Sequence, residues 1–281
     1  MARIDGQEAA RDAMLEVARL AVAAAYRAPQ LTGRLKLETE IVTGDDIAPI
    51  VEVFEAVHPI APVMYFDYQT LKYYLDRGIS IPIILLGADL TRAEMGWDCG
   101  ACGFESCGKF NAYSKKNKSR AMLWGGPSCN WKVLDFGAAC DFACAALAQY
   151  RIDARAMGTV GGAAATAGFL PDCSGIIGIP IGPPGDFKWF SRATNLDTAD
   201  YETHREWMLR TSPTNWHTFP GSTKPSIKTR DDWWVNPEFV KWEPFSAEEQ
   251  QFVDATLGKV MEVAMRVAPE VSAWYKKKGK K

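Results

Sequence analysis

Histidine is scarce. His58, His204 and His217 are the three in 281 residues, and none stands in the spacing of a metal site or of a nucleophile with its base. No Gly-rich segment ends in the lysine that a phosphate-binding loop requires, which argues against nucleotide hydrolysis. Net charge is nearly absent at -2, so no global field draws the chain to nucleic acid or to acidic lipid. Long apolar runs are missing too. The uncharged stretch from Ala156 to Pro171 is mainly Gly and Ala, and it meets Asp172 before reaching a membrane-spanning length, so it reads as buried structure. The first residues, Met1 to Glu8, are charged where an export signal needs an apolar run. These absences set the expectation of a cytoplasmic protein with no membrane and no nucleic acid as partner.

What the chain does have is cysteine. Cys99, Cys102 and Cys107 fall within ten residues of one another, and Cys129 follows in Gly126-Pro-Ser-Cys. Thiolates separated by two and then four residues on a Gly-containing loop, with a fourth downstream, can wrap one cuboidal 4Fe-4S cluster. Gly100 and Gly103 suit such a loop, because it must bend back tightly and bring backbone amides to the sulfurs. A structural zinc site is the alternative for the same four ligands, although a zinc ribbon usually offers two CxxC knuckles. Three more cysteines remain. Cys140 and Cys144 sit four apart on a predicted helix and Cys173 precedes a predicted strand, positions that suit small buried side chains. Cys140 competes with Cys129 for the role of fourth ligand; Cys129 is preferred because Gly125-Gly126-Pro127 makes a loop able to deliver it, whereas Cys140 lies inside a helix. Seven cysteines in such a chain fit a reducing compartment with metal ligation better than a disulfide framework.

Apolar periodicity organises the rest. Ala10, Met14, Val17, Ala18, Ala21 and Val22 predict a helix over 7–26, stopped by Pro29. A strand is expected over 37–42, a turn at Gly44-Asp45-Asp46, helices over 47–56 and 69–77, and a strand over 79–86. Beyond the cysteine-rich insert come helices over 131–150 and 157–169 and a strand over 174–181. The pattern is α+β or α/β in type. From about Asp186 the composition changes, with Trp189, Trp207, Trp216, Trp233, Trp234 and Trp242 among polar and Pro-rich residues. Ser246-Ala-Glu-Glu249 then reads as a capping box for a last helix through about Trp274. No internal repeat is visible. Three units follow: a core of 1–91 and 130–190, an insert of 92–129, and a Trp-rich arm with the last helix over 191–281.

Tyr26-Arg-Ala-Pro-Gln-Leu-Thr-Gly33, Leu37-Glu-Thr-Glu-Ile-Val-Thr-Gly44, the cysteine loop, Gly126-Pro-Ser-Cys129 and Ile152-Asp-Ala-Arg-Ala-Met-Gly158 together resemble the poorly characterised proteins that contain a ferredoxin domain. The resemblance covers about 7–190, and the cysteine loop is its most specific part. Behind that group stands a more distant similarity to flavin-dependent nitroreductases, carried by the Ala-Pro segment after the first helix and by Ile176-Ile-Gly-Ile-Pro-Ile-Gly182. That similarity implies an α+β nitroreductase-like sandwich, a homodimer and FMN at the dimer interface. The implied flavin contacts are Arg27, Gln30, Thr32 and Arg34 from the first segment, and Arg155, Met157, Gly158, Thr159 and Gly161 from the second. The plainer alternative is surface ion pairs for the arginines and close helix packing for the glycines.

Three functions fit this reading. The first is an oxidoreductase that passes electrons from a 4Fe-4S cluster through flavin to a small organic substrate. The second is an iron-sulfur electron carrier or redox sensor without flavin, and the third a zinc-stabilised interaction module. The run Lys115-Lys-Asn-Lys-Ser-Arg120 reads as a solvated helix face or as a positive rim for an acidic donor such as a ferredoxin. His217 is a loop residue or a substrate acid, and the Trp-rich stretch is a lid or a wrapping arm against a dimer partner.

Overall fold

Ile83, Ile84, Leu85 and Leu86, followed by Gly87 and Ala88, give a strand no polar face to turn toward water, and the chain covers both of its faces. The computed structural model describes residues 3–61, 64–79, 81–117, 119–120, 125–182, 227–228, 235, 240–241 and 245–278. Strand β1 (Leu37–Val42), strand β2 (Ile83–Ala88) and strand β5 (Gly175–Pro180) form one antiparallel sheet in the order β1-β2-β5. Leu37 faces Ala88 across the first pairing, and Ile83 faces Pro180 across the second.

Period-2 alternation divides the interior in two. Ile83, Leu85 and Ile176 point to one side, into a core shared with α2 (Ala48–Val57), α3 (Tyr65–Asp76), α6 (Gly158–Thr166) and the last helix, α7 (Ala247–Lys278). Ile84, Leu86, Ala88, Ile179 and Ile181 point to the other, against α1 (Gly6–Tyr26) and α5 (Asn130–Gln149). Each fully buried Ile or Leu contributes about 1.5–3 kcal/mol by removal from water. The result is a small antiparallel sheet between two helical layers. The expected α+β class holds, and three strands alone do not single out a nitroreductase sandwich.

Local chemistry sets the element ends. Asp5 caps α1 by accepting the Gln7 and Glu8 amides at 2.9 and 3.1 Å. The expected capping box opens α7, with the Ser246 amide on Glu249 at 2.8 Å and the Glu249 amide on the Ser246 hydroxyl at 3.2 Å. The second strand begins at Ile83 rather than at Ile79. Gly78, at φ +62°, closes α3 in a Schellman turn: its amide reaches the Leu75 carbonyl at 3.0 Å, and the Ile79 amide reaches the Tyr74 carbonyl at 3.0 Å. Ile79 is thus held by the helix end. Within the insert α4 (Cys107–Asn117), of which the sequence marked only the lysine-bearing end as a helix face, precedes the two-residue strands β3 (Ser119–Arg120) and β4 (Gly125–Gly126).

The Trp-rich segment, with its expected dimer contacts, falls almost wholly outside the described residues, as do His204 and His217. Two further short strands, β6 (Ile227–Lys228) and β7 (Val240–Lys241), pair there. Among the described residues no helix is long and apolar enough to cross a membrane.

The Gly-rich character of α6 has a packing cause. A Cβ on Gly161 would lie 1.9 Å from the Ile176 carbonyl oxygen, and one on Gly178 would lie 2.3 Å from Val160 Cγ1. Helix and strand touch backbone to backbone. Gly161→Ala must push α6 off β5, with an expected loss of about 1–3 kcal/mol or more. A Gly137→Ala control, at a position with nothing within 4 Å, should not fall with it in a thermal melt.

Candidate metal centre

Strand β2 feeds directly into the cysteine loop, and hydrogen bonds fasten both ends of that loop to the sheet. The Ser174 amide donates to the Ala88 carbonyl at 3.0 Å, and the Leu90 amide to the Ser174 hydroxyl at 2.8 Å. The Leu90 carbonyl in turn accepts the Cys129 amide at 2.8 Å, which brings the fourth cysteine back to where the loop departs. Asn111 on α4 clasps Ala93 with both ends of its amide, accepting at 2.8 Å and donating at 2.9 Å. Buried Lys132 on α5 pairs with Glu94 at 2.7 Å and holds that carboxyl below its ordinary range. The loop is therefore tied to α4, α5 and the sheet.

Between these anchors the backbone turns sharply. Gly100 and Gly103 have φ of 72° and 84°, and Asp98 has φ of 47°, a left-handed conformation that Asp tolerates better than most residues. The Asp98 carboxylate accepts the Cys107 amide at 2.7 Å, and the Gly103 amide reaches the Gly100 carbonyl at 2.8 Å. The four cysteines line one narrow recess, walled by Met95, Trp97, Phe104 and Trp131. Phe110 is wholly buried beneath it, edge-on to Phe104 at 5.5 Å. Cys99 is exposed, Cys102 and Cys107 are half-buried, and Cys129 is buried.

Two of the four sulfurs occupy helix starts. Cys107 is the first residue of α4 and Cys129 the N-cap of α5, and neither helix has an acidic residue in its first turn. A backbone hydrogen bond from Ala101, followed by the indole N–H of Trp131 on Cys99 Sγ at 3.1 Å, holds the Cys99 thiol below its ordinary pKa. Among the described residues no three His, Cys, Asp or Glu side chains gather tightly enough to hold one metal ion.

The other cysteines lie elsewhere. Cys140 is buried between α5 and α1, where loss of solvent pushes its thiol up to about 12, and burial raises Cys144 as well. Cys173 sits in the opposite core against Gly87. Lys115 and Lys116 are exposed in the last turn of α4.

The two segments expected to hold flavin sit on opposite sides of the sheet. The Gln30 side chain both donates to and accepts from the Leu35 backbone, at 3.2 and 3.1 Å. Buried Asp135 on α5 accepts the Leu31 amide at 2.7 Å, the Thr32 amide at 3.0 Å and the Thr32 hydroxyl. Across the sheet, Thr159 donates to Asp67 at 2.7 Å, Met157 exchanges backbone hydrogen bonds with Gly178, Gly158 opens α6, and Gly161 abuts Ile176. Arg27, Arg34 and Arg155 are exposed. Residues missed from sequence include Trp131, Asp135, Asn111 and Ser174, whose roles depend on partners 18 to 104 residues away. Only Trp131, two residues after Cys129, carried a local signal.

A second cavity, of about 580 Å³, lies beside β1 and is lined by Glu40, Asp45, Asp46, Glu52, Glu270 and Tyr275, among others. It shares no residue with the cysteine recess or with the expected flavin contacts.

Comparison with known proteins reaches the same region of the chain. Residues 125–192 match the family described as uncharacterized protein containing a ferredoxin domain (DUF2148), a span that includes Cys129 and stops short of Cys99, Cys102 and Cys107. An uncharacterized protein of Archaeoglobus fulgidus is 29% identical over 181 residues, 64% of this chain and 92% of that relative. No solved structure matches.

Two outcomes follow from the geometry. In metal-free protein Cys99 is exposed with a lowered pKa, so its thiolate is present at lower pH and iodoacetamide should label it first. Cys140, buried and raised to about 12, should resist labelling at neutral pH until the chain unfolds, as peptide mass spectrometry would read. Asp135→Ala leaves buried donors without their acceptor and should lower stability by about 3 kcal/mol in urea unfolding, at the level expected for hydrogen bonds to a charged group.

Proposed function

We propose that this chain is an iron-sulfur electron carrier in which Cys99, Cys102, Cys107 and Cys129 would hold a 4Fe-4S cluster. One observation carries the reading: four thiols from two distant stretches of sequence line a single recess, two of them at helix N-termini. The match of 125–192 to a family containing a ferredoxin domain supports it. A zinc ion would draw its sulfurs to about 3.8 Å from one another, given Zn–S bonds of about 2.3 Å. The spacing of Cys99, Cys102 and Cys107, two residues and then four, suits a polynuclear group better than the paired CxxC knuckles of a zinc ribbon. When bound, such a cluster supplies one-electron transfer between redox partners.

The residues have separable tasks. The four cysteines ligate, Asp98 and the left-handed glycines set the bend of the loop, and Met95, Phe104 and Phe110 keep water from one side. Exposed Cys99 leaves the opposite side open to a partner. Lys115 and Lys116 would favour an acidic one, a ferredoxin among them.

The carrier is favoured over the flavoenzyme. Gln30, Thr32 and Thr159 spend their polar groups on internal hydrogen bonds, and the two segments flank different cores. The cavity of about 580 Å³ beside β1 carries Glu40, Asp45, Asp46, Glu52 and Glu270 in its wall, and these would repel an FMN phosphate. FMN, a small organic substrate and a homodimer through the Trp-rich segment have no observation of comparable weight behind them.

Anaerobically purified protein should contain about four iron and four sulfide per chain, the content of one such cluster. Serine at Cys99, Cys102, Cys107 or Cys129 should abolish both, while serine at Cys140, Cys144 or Cys173 should leave them. Stoichiometric zinc without sulfide would overturn the proposal in favour of a zinc-stabilised module, and bound FMN would restore the flavoenzyme.

A further inference from the structure

Trp131 stands apart from the other residues around the cysteines. It is the second residue of α5, two places after Cys129, yet its indole N–H points across the recess to Cys99 Sγ at 3.1 Å. The indole can only donate, so the bond has one direction. Its ring is braced edge-on by Trp97, with centroids 6.3 Å apart at 74°. Cys99 is the exposed member of the set, where the cysteine beside it on the loop, Cys102, is half-buried. The side chain thus places a fixed donor on the ligand that water could otherwise reach freely.

We infer that Trp131 is a positioning residue that sets the reduction potential at Cys99, by holding an N–H on the sulfur that gains negative charge on reduction. The inference rests on the iron-sulfur reading above. Hydrogen bonds to ligand sulfur stabilise the more negative, reduced state over the oxidised one, so the donor raises the potential. The bond also joins the two ends of the site, since Trp131 rides on the helix that Cys129 caps while Cys99 belongs to the loop. Reduction therefore bears on one contact between the loop and α5.

The experiment compares wild type with Trp131→Phe and with a chain carrying benzothienylalanine at 131, which keeps the bicyclic shape and lacks the N–H. Iron and sulfide content and the midpoint potential by anaerobic spectroelectrochemistry are read on each. Trp97→Phe, which leaves the indole donor in place, serves as control. The expected result is unchanged iron and sulfide in both variants at 131, with a midpoint potential shifted downward, and no comparable shift in the control. An unshifted potential in a fully loaded variant at 131 overturns the inference. Loss of the cluster from both variants also overturns it, because Trp131 would then act in assembly. Failure is distinguishable at the other level as well: wild type with no iron and sulfide sinks the iron-sulfur reading itself, before any variant is compared.

Discussion

The central strand β2 is the constraint from which the rest of the structure follows. Its backbone is paired on both edges and its side chains are buried on both faces, so it can neither slip by one residue nor move outward without exposing Ile and Leu. α1 and α5 take one face, and α2, α3, α6 and α7 the other. Glycine makes the tightest of these contacts possible at α6, where a side chain has no room above Ile176.

The cysteine recess inherits its position from that strand. Ala88 ends β2, and within a few residues Ser174, Leu90 and Cys129 are joined in a chain of backbone and hydroxyl hydrogen bonds. The loop that carries three cysteines leaves from this knot, and the fourth cysteine returns to it. A loop of this length would sample many shapes alone; Asn111 on Ala93 and Lys132 on Glu94 restrict it from two further sides. Side chains held in this way have less freedom left to lose on binding, which is how a scaffold adds to affinity.

Charge follows the same plan. Cys99 Sγ meets an indole donor, Cys107 and Cys129 stand at helix starts, and acidic residues of the loop are engaged beside them, Asp98 by the Cys107 amide and Glu105 by Lys109. The exposure of Cys99 tempers each effect, since water screens charges at a surface far better than in a core. Cys140 shows the contrast. Within the α1–α5 interface the same side chain is a neutral hydrophobe.

The sequence by itself determined most of the secondary structure and the grouping of three cysteines on one loop. Helical periodicity, the Ser246 capping box and the buried run in β2 are local signals, readable because each depends on residues within a few positions. The spacing of Cys99, Cys102 and Cys107 is of the same kind. The sequence favoured Cys129 over Cys140 as the cysteine that joins them, and tertiary structure supplied the cause, the start of α5 against Leu90 and the packing of Cys140 between α5 and α1. It also gave the glycines of α6 and the polar side chains of the Ala-Pro segment their occupations. Asp135 lies 104 residues from Leu31 and Asp67 lies 92 from Thr159. Pairings over such distances arise from chain crossing, and no local pattern encodes them, so the sequence shows Thr32 and Thr159 as polar residues without showing that they bond Asp135 and Asp67.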